Sequence, residues 1–241
     1  MLSIKNLSFT VNSEDGRDKL GILNNVSLDI PDGKFVVVTG PNGGGKSTLA
    51  RLIMGIEKPS EGRIILDDRD ITDLEIDERA ALGVGYAFQQ PARFKGITVR
   101  RLLSLAHGSE LPEDECCSYL TSVGLCSRDY LNREVDSSLS GGEVKRIEIA
   151  TLMARQLKLA IYDEPEAGID LWSFTMLVES FKRMHREGKE SIIIISHQER
   201  LMQLADDIIV IADGSVREMG PREEIFPKLM GEFDAACDFR G

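Results

Sequence analysis

TGPNGGGKSTL, residues 39–49, stands between a continuous apolar run at 35–38 and a helical pattern that stops at Gly55. The apolar run is typical of a strand that is buried on both faces of a sheet. Glycine loses more backbone freedom on folding than any other residue, so a glycine cluster usually marks a turn with positive φ or a close approach to the main chain. The order strand, glycine-rich loop, helix therefore predicts a ligand site at the loop.

Residues 40–47 fit the phosphate-binding pattern G-x-x-x-x-G-K-[ST]. Backbone N–H groups converge on phosphate oxygens only where no side chain obstructs them, and the positive end of the following helix points at the same anion. Lys46 can reach the β- and γ-phosphates, and the Ser47 hydroxyl can ligate Mg²⁺. The alternative is a glycine-rich turn that only links strand to helix. The sequence predicts that a nucleotide is bound by Gly40, Pro41, Asn42, Gly43, Gly44, Gly45, Lys46, Ser47 and Thr48.

Composition narrows the class of protein. The 241 residues are 42% apolar and 29% charged, as in an ordinary globular protein with one core and at most a subdomain. No apolar run approaches the roughly 20 residues of a membrane span, and the first residues do not resemble a signal peptide, so we expect a cytoplasmic location. A net charge of −11 argues against nucleic acid or an anionic membrane as a direct partner. The four cysteines lack zinc-site spacing, which favours free thiols.

Strand-like and helix-like patterns alternate along the chain. Apolar strand patterns recur at 22–30, 62–66, 84–88, 159–162, 191–196 and 207–211. This alternation predicts an α/β fold with a parallel sheet covered on both sides. Residues 91–155 have several helix-like stretches and no strong strand signal. We therefore predict a helical subdomain at 91–155, inserted into an α/β core of residues 1–90 and 156–241.

Two carboxylates, Asp163 and Glu164, follow the apolar run at 159–162. Ligands bind at the carboxyl ends of strands in parallel sheets. We expect Asp163 to hold Mg²⁺, directly or through water, and Glu164 to orient or deprotonate the attacking water. The alternative is a solvated acidic turn.

LSGGE, residues 139–143, precedes a helix that continues through Met153. Ser140 and Glu143 have the spacing of a capping box, which would only begin the helix. Gly141 and Gly142 are poor helix formers, however, and they leave N–H groups open to an anion. A second phosphate-binding surface and a capping box are compatible interpretations, since one serine can cap the helix and face a phosphate.

The chain therefore carries an ordered series of motifs: GPNGGGKST, Gln89 after a strand, LSGGE, IYDE, AGID ending at Asp170, and His197 after a strand. In this order and over nearly the whole chain they resemble the ATP-binding cassette (ABC) ATPases. The resemblance implies a single P-loop domain with a mixed, mainly parallel sheet, an N-terminal antiparallel β part and the inserted helical subdomain. It also implies ATP and Mg²⁺ as ligands. Two copies would pair head to tail, so that Ser140, Gly141 and Gly142 act on the ATP of the other copy.

Three further roles come from the resemblance alone. Gln89 would contact the metal and the nucleophilic water, although Gln90 is a near rival. His197 would contact the γ-phosphate, where the alternative is a structural histidine. Asp170 would cross the dimer seam, where the alternative is a cap on the helix that begins near Trp172. Ser47, Gln89 and Asp163 are thus the predicted metal ligands.

Three positions depart from the family pattern, and one of them is Ile169, which replaces the usual leucine. Val11 stands near the end of the first strand, where many members have an aromatic residue that stacks on adenine. Gly44 replaces a small side chain, which we expect to loosen the phosphate loop.

The partner on which the ATPase works is predicted by resemblance. The stretches YAFQQP, DEPEAGID and SIIIISHQERL look most like the SufC branch, the ATPases of the Suf iron–sulfur cluster assembly system. That branch implies a SufB/SufD-like scaffold as partner. The alternative is the cytoplasmic ATP-binding subunit of an ABC transporter, with a membrane subunit as partner. A third interpretation, a scaffold that binds ATP without turnover, is opposed by the intact Glu164 and His197.

Overall fold

The computed structural model describes residues 1–12 and 19–238, and side chains as far as residue 231. Contacts divide the chain into two compact units, one built from residues 1–82 and 191–241 and the other from residues 83–190. We call them unit 1 and unit 2. The predicted division into a core and a helical subdomain at 91–155 stays a prediction.

The strands, in chain order, are β1 (Leu2–Asn12), β2 (Lys19–Ile30), β3 (Phe35–Thr39), β4 (Glu61–Leu66), β5 (Arg69–Asp70), β6 (Val84–Ala87), β7 (Phe94–Thr98), β8 (Glu134–Val135), β9 (Leu159–Asp163), β10 (Ser191–Ile195), β11 (Asp207–Ala212) and β12 (Ser215–Pro221). The helices are α1 (Lys46–Met54), α2 (Ile76–Ala81), α3 (Val99–His107), α4 (Glu113–Ser122), α5 (Ser127–Tyr130), α6 (Gly141–Met153), α7 (Leu171–Glu187), α8 (Glu199–Met202) and α9 (Arg222–Asp238). In the described part of the chain, no helix combines the length and the apolar character that a membrane span requires.

Unit 1 contains an antiparallel sheet with the strand order β2-β1-β4-β5. Leu2 lies opposite Ile30 on one side and Leu66 on the other, and all three side chains are buried. One face of this sheet is therefore apolar, as an antiparallel sheet with one solvated face requires. The predicted N-terminal antiparallel part is confirmed.

The second sheet of unit 1 has the order β12-β11-β3-β10, with β3 parallel to both β10 and β11. Every residue of β3 and β10 is buried, which explains their unbroken apolar sequences. Val38 pairs with Ile195, so the loop after β3 and the loop after β10 leave the same edge of the sheet. This register places the phosphate loop and His197 on that edge.

In unit 2, β6 and β9 pair in parallel, from Val84 opposite Leu159 to Ala87 opposite Tyr162. The segments carrying Gln89 and Asp163 therefore lie at the same end of this pair. Helix α6 packs against α3 and α4, and α4 packs against α7. The buried side chains of Leu103, Leu120, Ile147 and Leu177 belong to this helical layer.

The α/β class is confirmed, with strands found where the apolar runs predicted them. The absence of a strand signal in residues 91–155 was misleading, because β7 and β8 form a small antiparallel pair there. β7 is exposed and contains Gly96, so it carries no apolar pattern. Its partner β8 lies far along the chain, and backbone bonds such as Val99 N–H to the Arg133 carbonyl at 2.9 Å continue the pairing. Local sequence gives no sign of such a long-range contact.

Candidate active site

The phosphate loop connects β3 to α1 in unit 1. Gly45, the residue before α1, has a φ of 104°, and no described side chain caps the helix by a hydrogen bond. The first turn contains no acidic residue. The positive dipole end of α1 therefore favours an anion at this loop.

Two loop glycines are required by the packing of the loop against β11. A Cβ on Gly40 would lie inside the contact distance of the Ile211 carbonyl oxygen, and a Cβ on Gly44 would lie 2.8 Å from the same oxygen. The Gly214 N–H also donates to the Gly44 carbonyl at 3.1 Å. Gly44 therefore fits the loop closely onto the sheet, and the expectation that it loosens the loop stays a prediction.

Lys46 folds back over the loop that precedes it. Its ammonium donates to the carbonyl oxygens of Gly40 at 2.8 Å and Pro41 at 2.9 Å, and the residue is only 6% exposed. Ser47 and Thr48 follow in the first turn and are half-buried. The loop thus holds a cation directly beside the start of α1.

His197 follows β10, at the same sheet edge of unit 1 as the phosphate loop that follows β3. Its residue is exposed, and it lines a cleft of about 560 Å³ together with Thr39, Gly40, Pro41 and Asn42. The structure therefore brings His197 to the phosphate loop, as predicted from the sequence order of the motifs. Its contact with a γ-phosphate stays a prediction.

Unit 2 holds the predicted hydrolytic carboxylate. Glu164 has a φ of 46°, a left-handed conformation that costs a residue other than glycine about 1–3 kcal/mol. The Gln89 side-chain amide donates to the Glu164 carboxylate at 2.8 Å. The two predicted catalytic side chains are therefore in direct contact, and the neighbouring Gln90 has no such bond among those that the structure gives.

Asp163 is suited to hold a magnesium ion. It is fully buried, and the Tyr86 hydroxyl donates to its Oδ2 at 2.7 Å. Carboxylate, hydroxyl and amide oxygens, as supplied by Asp163, Ser47 and Gln89, are the hard donors that Mg²⁺ prefers. The Asp163 and Gln89 oxygens of unit 2 therefore fit the ion, and the Ser47 hydroxyl of unit 1 is a donor of the same kind.

LSGGE forms a complete capping box at the start of α6. The Ser140 side chain accepts from the Glu143 N–H at 3.3 Å, and the Glu143 carboxylate accepts from the Ser140 N–H at 2.6 Å. Ser140 and Gly141 are exposed. The helix start is thus stabilised while the surface of its first turn stays open, so both interpretations of the motif are compatible with the structure.

Gly142 is fixed by close packing within unit 2. A Cβ on Gly142 would lie inside the contact distance of the Gly168 carbonyl oxygen, whereas a Cβ on Gly141 would meet nothing within 4 Å.

We expect Gly142→Ala to lower the free energy of unfolding by roughly 1–3 kcal/mol because the backbone at Gly168 must move. The thermal midpoint should then fall by about 2–4 °C per kcal/mol. Differential scanning calorimetry should show this loss for Gly142→Ala but not for Gly141→Ala; equal midpoints would contradict the packing argument.

The Glu143 carboxylate makes the stability of the fold depend on pH in the acid range. Hydrogen bonds from the Tyr130 hydroxyl and from Ser140 lower the pKa of Glu143 from 4.5 to about 2. Stability from this carboxylate is thus fully present above pH 4.5 and is lost as the pH falls toward 2. Between pH 5 and pH 3, we expect the thermal midpoint of Glu143→Gln to fall less than that of the parent protein. An equal fall in both proteins would exclude this role.

Asp170 caps helix α7. Its carboxylate accepts from the N–H groups of Trp172 at 3.1 Å and Ser173 at 3.0 Å, and from the Ser173 hydroxyl at 2.7 Å. These bonds lower the pKa of Asp170. The capping interpretation is therefore correct, and the role across a dimer seam stays a prediction.

Sequence reasoning missed two polar residues that donate hydrogen bonds to Asp163. Tyr86 lies in an otherwise apolar strand, and Lys145 lies among the buried residues of α6. A polar side chain at a buried position of a regular element was the available signal, because such groups are usually hydrogen-bonded.

The fold and these motifs define a P-loop ATPase built on an α/β scaffold. The family model for the ABC transporter matches residues 23–167, so the chain belongs to the ABC transporter family. It is an ABC-type ATPase, a class that binds ATP with Mg²⁺.

Relatives of known sequence support the assignment. The chain is 42% identical over 220 residues to the uncharacterized ABC transporter ATP-binding protein MJ0035 of Methanocaldococcus jannaschii, covering 88% of this chain and 86% of that protein. It is 34% identical over 219 residues to the sulfate/thiosulfate import ATP-binding protein CysA of Synechocystis sp., covering 87% of this chain. The chain spans only 60% of the length of that CysA.

Solved structures agree on the fold. The dimeric structure of MJ0796, a bacterial ABC transporter cassette, superposes with a TM-score of 0.83 at 26% identity, covering 92% of this chain and 99% of that one. A dimeric post-hydrolysis state of MJ0796 bound to ADP and Pi gives a TM-score of 0.81 at 26% identity, with the same coverage. The predicted ABC-type fold is thereby confirmed.

Proposed function

We propose that this chain is the ATP-hydrolysing subunit of an ABC transporter and that it works as a head-to-tail dimer. The observation that carries the hydrolytic part is the 2.8 Å hydrogen bond between Gln89 and Glu164 beside the buried Asp163. It pairs the carboxylate suited to activate water with the amide suited to orient it.

Each motif has a distinct task in the proposed reaction. The N–H groups of the phosphate loop and of α1 bind the phosphates, and Lys46 exchanges its two loop carbonyls for phosphate oxygens. Asp163, Ser47 and Gln89 would hold Mg²⁺, which would supply positive charge beside the phosphates when bound. Glu164 accepts the proton of the attacking water, which Gln89 orients, and His197 donates to the γ-phosphate.

The proposal includes a dimer because the start of α6 in unit 2 suits a second phosphate group. The first turn of α6 has Ser140 and Gly141 exposed on its open end. A helix start with exposed glycines suits the γ-phosphate of another copy. The two MJ0796 structures are dimeric, one of them bound to ADP and Pi, and they support a dimer for this chain.

The comparisons favour a transporter as the partner. MJ0035 and CysA carry the names of transporter ATP-binding proteins, whereas the main interpretation of the sequence was the SufC branch. We therefore give the transporter precedence over a SufB/SufD-like scaffold and place the chain at the cytoplasmic face of a membrane. Iron–sulfur cluster assembly remains the second candidate, supported by the stretches YAFQQP, DEPEAGID and SIIIISHQERL.

Affinity capture tests the choice of partner. The tagged Glu164→Gln variant is isolated with ATP from detergent-solubilised membranes and from the soluble fraction of its native host, and the bound proteins are identified by mass spectrometry. A multi-spanning membrane protein supports the transporter. A soluble β-rich scaffold would replace it with the assembly role, and the Lys46→Ala variant serves as the control for ATP-dependent capture.

A further inference from the structure

Lys145 is a buried cation in unit 2 with no role in the site described so far. It lies in the second turn of α6, and the residue is 1% exposed. Its ammonium donates to the carbonyl oxygens of Phe88, of Gln89 at 3.5 Å and of Asp163 at 2.9 Å. A buried ammonium is costly unless it is hydrogen-bonded, so three carbonyls converging on one nitrogen make this a defined position.

Helix α6 holds the segment before Gln89 from two sides. Glu148, one turn after Lys145, accepts from the Phe88 N–H at 3.2 Å. The Phe88 carbonyl accepts from Lys145. Both backbone polar groups of Phe88 are therefore bound to side chains of α6, and Gln89 begins from a fixed main chain.

The hydrogen bonds of Lys145, Gln89 and Glu164 close into a ring. The Lys145 ammonium donates to the Gln89 carbonyl, and the Gln89 side chain donates to the Glu164 carboxylate. The Asp163 carbonyl, which belongs to the peptide joining Asp163 to Glu164, accepts from Lys145 and so closes the ring. The next residue, Glu164, has a left-handed backbone conformation, and a conformation of this kind persists only where surrounding contacts hold it.

We propose that Lys145 is a positioning residue, which holds Gln89 and Glu164 at a fixed place relative to the helix that begins with LSGGE. This inference rests on the proposed role of Glu164 in hydrolysis. In this role Lys145 connects the LSGGE surface, which is proposed to bind the ATP of the other copy, with Glu164, which is proposed to act on the ATP of the same copy. Lys145 itself contacts only backbone carbonyls in this ring.

Steady-state hydrolysis of ATP with Mg²⁺ by the full chain tests the proposal. Lys145→Met keeps the length of the side chain and removes its charge and donors. We expect kcat to fall at least tenfold while KM for ATP changes less than twofold, because the phosphate loop is untouched. In the Glu164→Gln background, the same substitution should lower the residual rate less than twofold, since residues that act as a unit are not additive.

A matched control separates positioning from stability. Arg79 is also a buried cation on backbone carbonyls, among them Leu52 at 2.5 Å and Ile53 at 2.9 Å, but it lies in unit 1. Arg79→Met should lower the thermal midpoint as Lys145→Met does and leave kcat per folded molecule unchanged. A merely structural Lys145 would behave in the same way as Arg79, and that result overturns the proposal.

Further outcomes are decisive in either direction. If Lys145→Met does not fold, Lys145→Arg replaces it, because a guanidinium spreads its donors over three nitrogens in a plane and so cannot hold three carbonyls around one point as a single ammonium nitrogen does. A severalfold lower kcat at unchanged KM then supports the proposal, and a parental kcat overturns it. If Glu164→Gln hydrolyses ATP like the parent, the proposed function fails instead, independently of the result at Lys145.

Discussion

Replacing Glu164 by glutamine should abolish ATP turnover while ATP binding is retained. Glutamine has the same shape, so its side-chain carbonyl can still accept the 2.8 Å bond from Gln89, and the backbone at φ 46° is unaffected. What is lost is the group that takes the proton of the attacking water. General base catalysis contributes about 10²–10⁴-fold to a rate, and we expect kcat to fall by that factor.

The measurement combines phosphate release with calorimetric titration of ATP. If hydrolysis separates the two copies of the proposed dimer, size-exclusion chromatography of this variant with ATP should also show a stable dimer. Glu190→Gln is the matched control, since Glu190 is a half-buried carboxylate of the same unit that lines a different cleft. Its kcat should equal that of the parent. Equal turnover by Glu164→Gln and the parent would remove Glu164 from its proposed role.

Replacing Lys46 by alanine should weaken ATP binding itself. The ammonium lies within 2.9 Å of two loop carbonyls beside the uncapped start of α1, where the phosphates would bind. A hydrogen bond to a charged group contributes about 1.5–3 kcal/mol. At about 1.4 kcal/mol per factor of ten, the affinity for ATP should fall about tenfold to a hundredfold.

Isothermal titration with ATP in the presence of EDTA measures this loss without a contribution from hydrolysis. Lys58→Ala is the control because Lys58 is an exposed lysine that only pairs with Glu75 at 2.6 Å. Surface pairs of this kind contribute little, so ATP affinity should be unchanged. An unchanged affinity in Lys46→Ala would contradict the assignment of the phosphate loop.

The parts of the site that sequence predicted are those encoded by contiguous residues. The phosphate loop, the carboxylate pair at the end of β9 and the capping box of Ser140 and Glu143 each depend on spacing within a few residues. The chemistry of such a motif can be predicted from a short stretch of sequence, because strand, loop and helix follow one another along the chain. The same holds for the buried strands, whose apolar runs needed no knowledge of their partners.

Some features depended on residues that are distant in sequence. The bonds from Lys145 to the segment after β6 and to the end of β9 could not be predicted from LSGGE. The pairing of β7 with β8 likewise joins two exposed segments that lack an apolar pattern. Periodicity reports which face of an element is buried, and it says nothing about which distant group meets it.

By itself, therefore, the sequence determined the α/β class, the phosphate loop and the acidic strand end, because each follows from local order and spacing. Only the tertiary structure decided that Gly40 and Gly44 must also leave room for the Ile211 carbonyl of β11. It also decided that Gln89 and Glu164 meet. The physical reason is that packing and hydrogen bonding depend on the distance between groups in space. Two groups that are far apart along the chain can therefore meet without any sign of the contact in the sequence around either one.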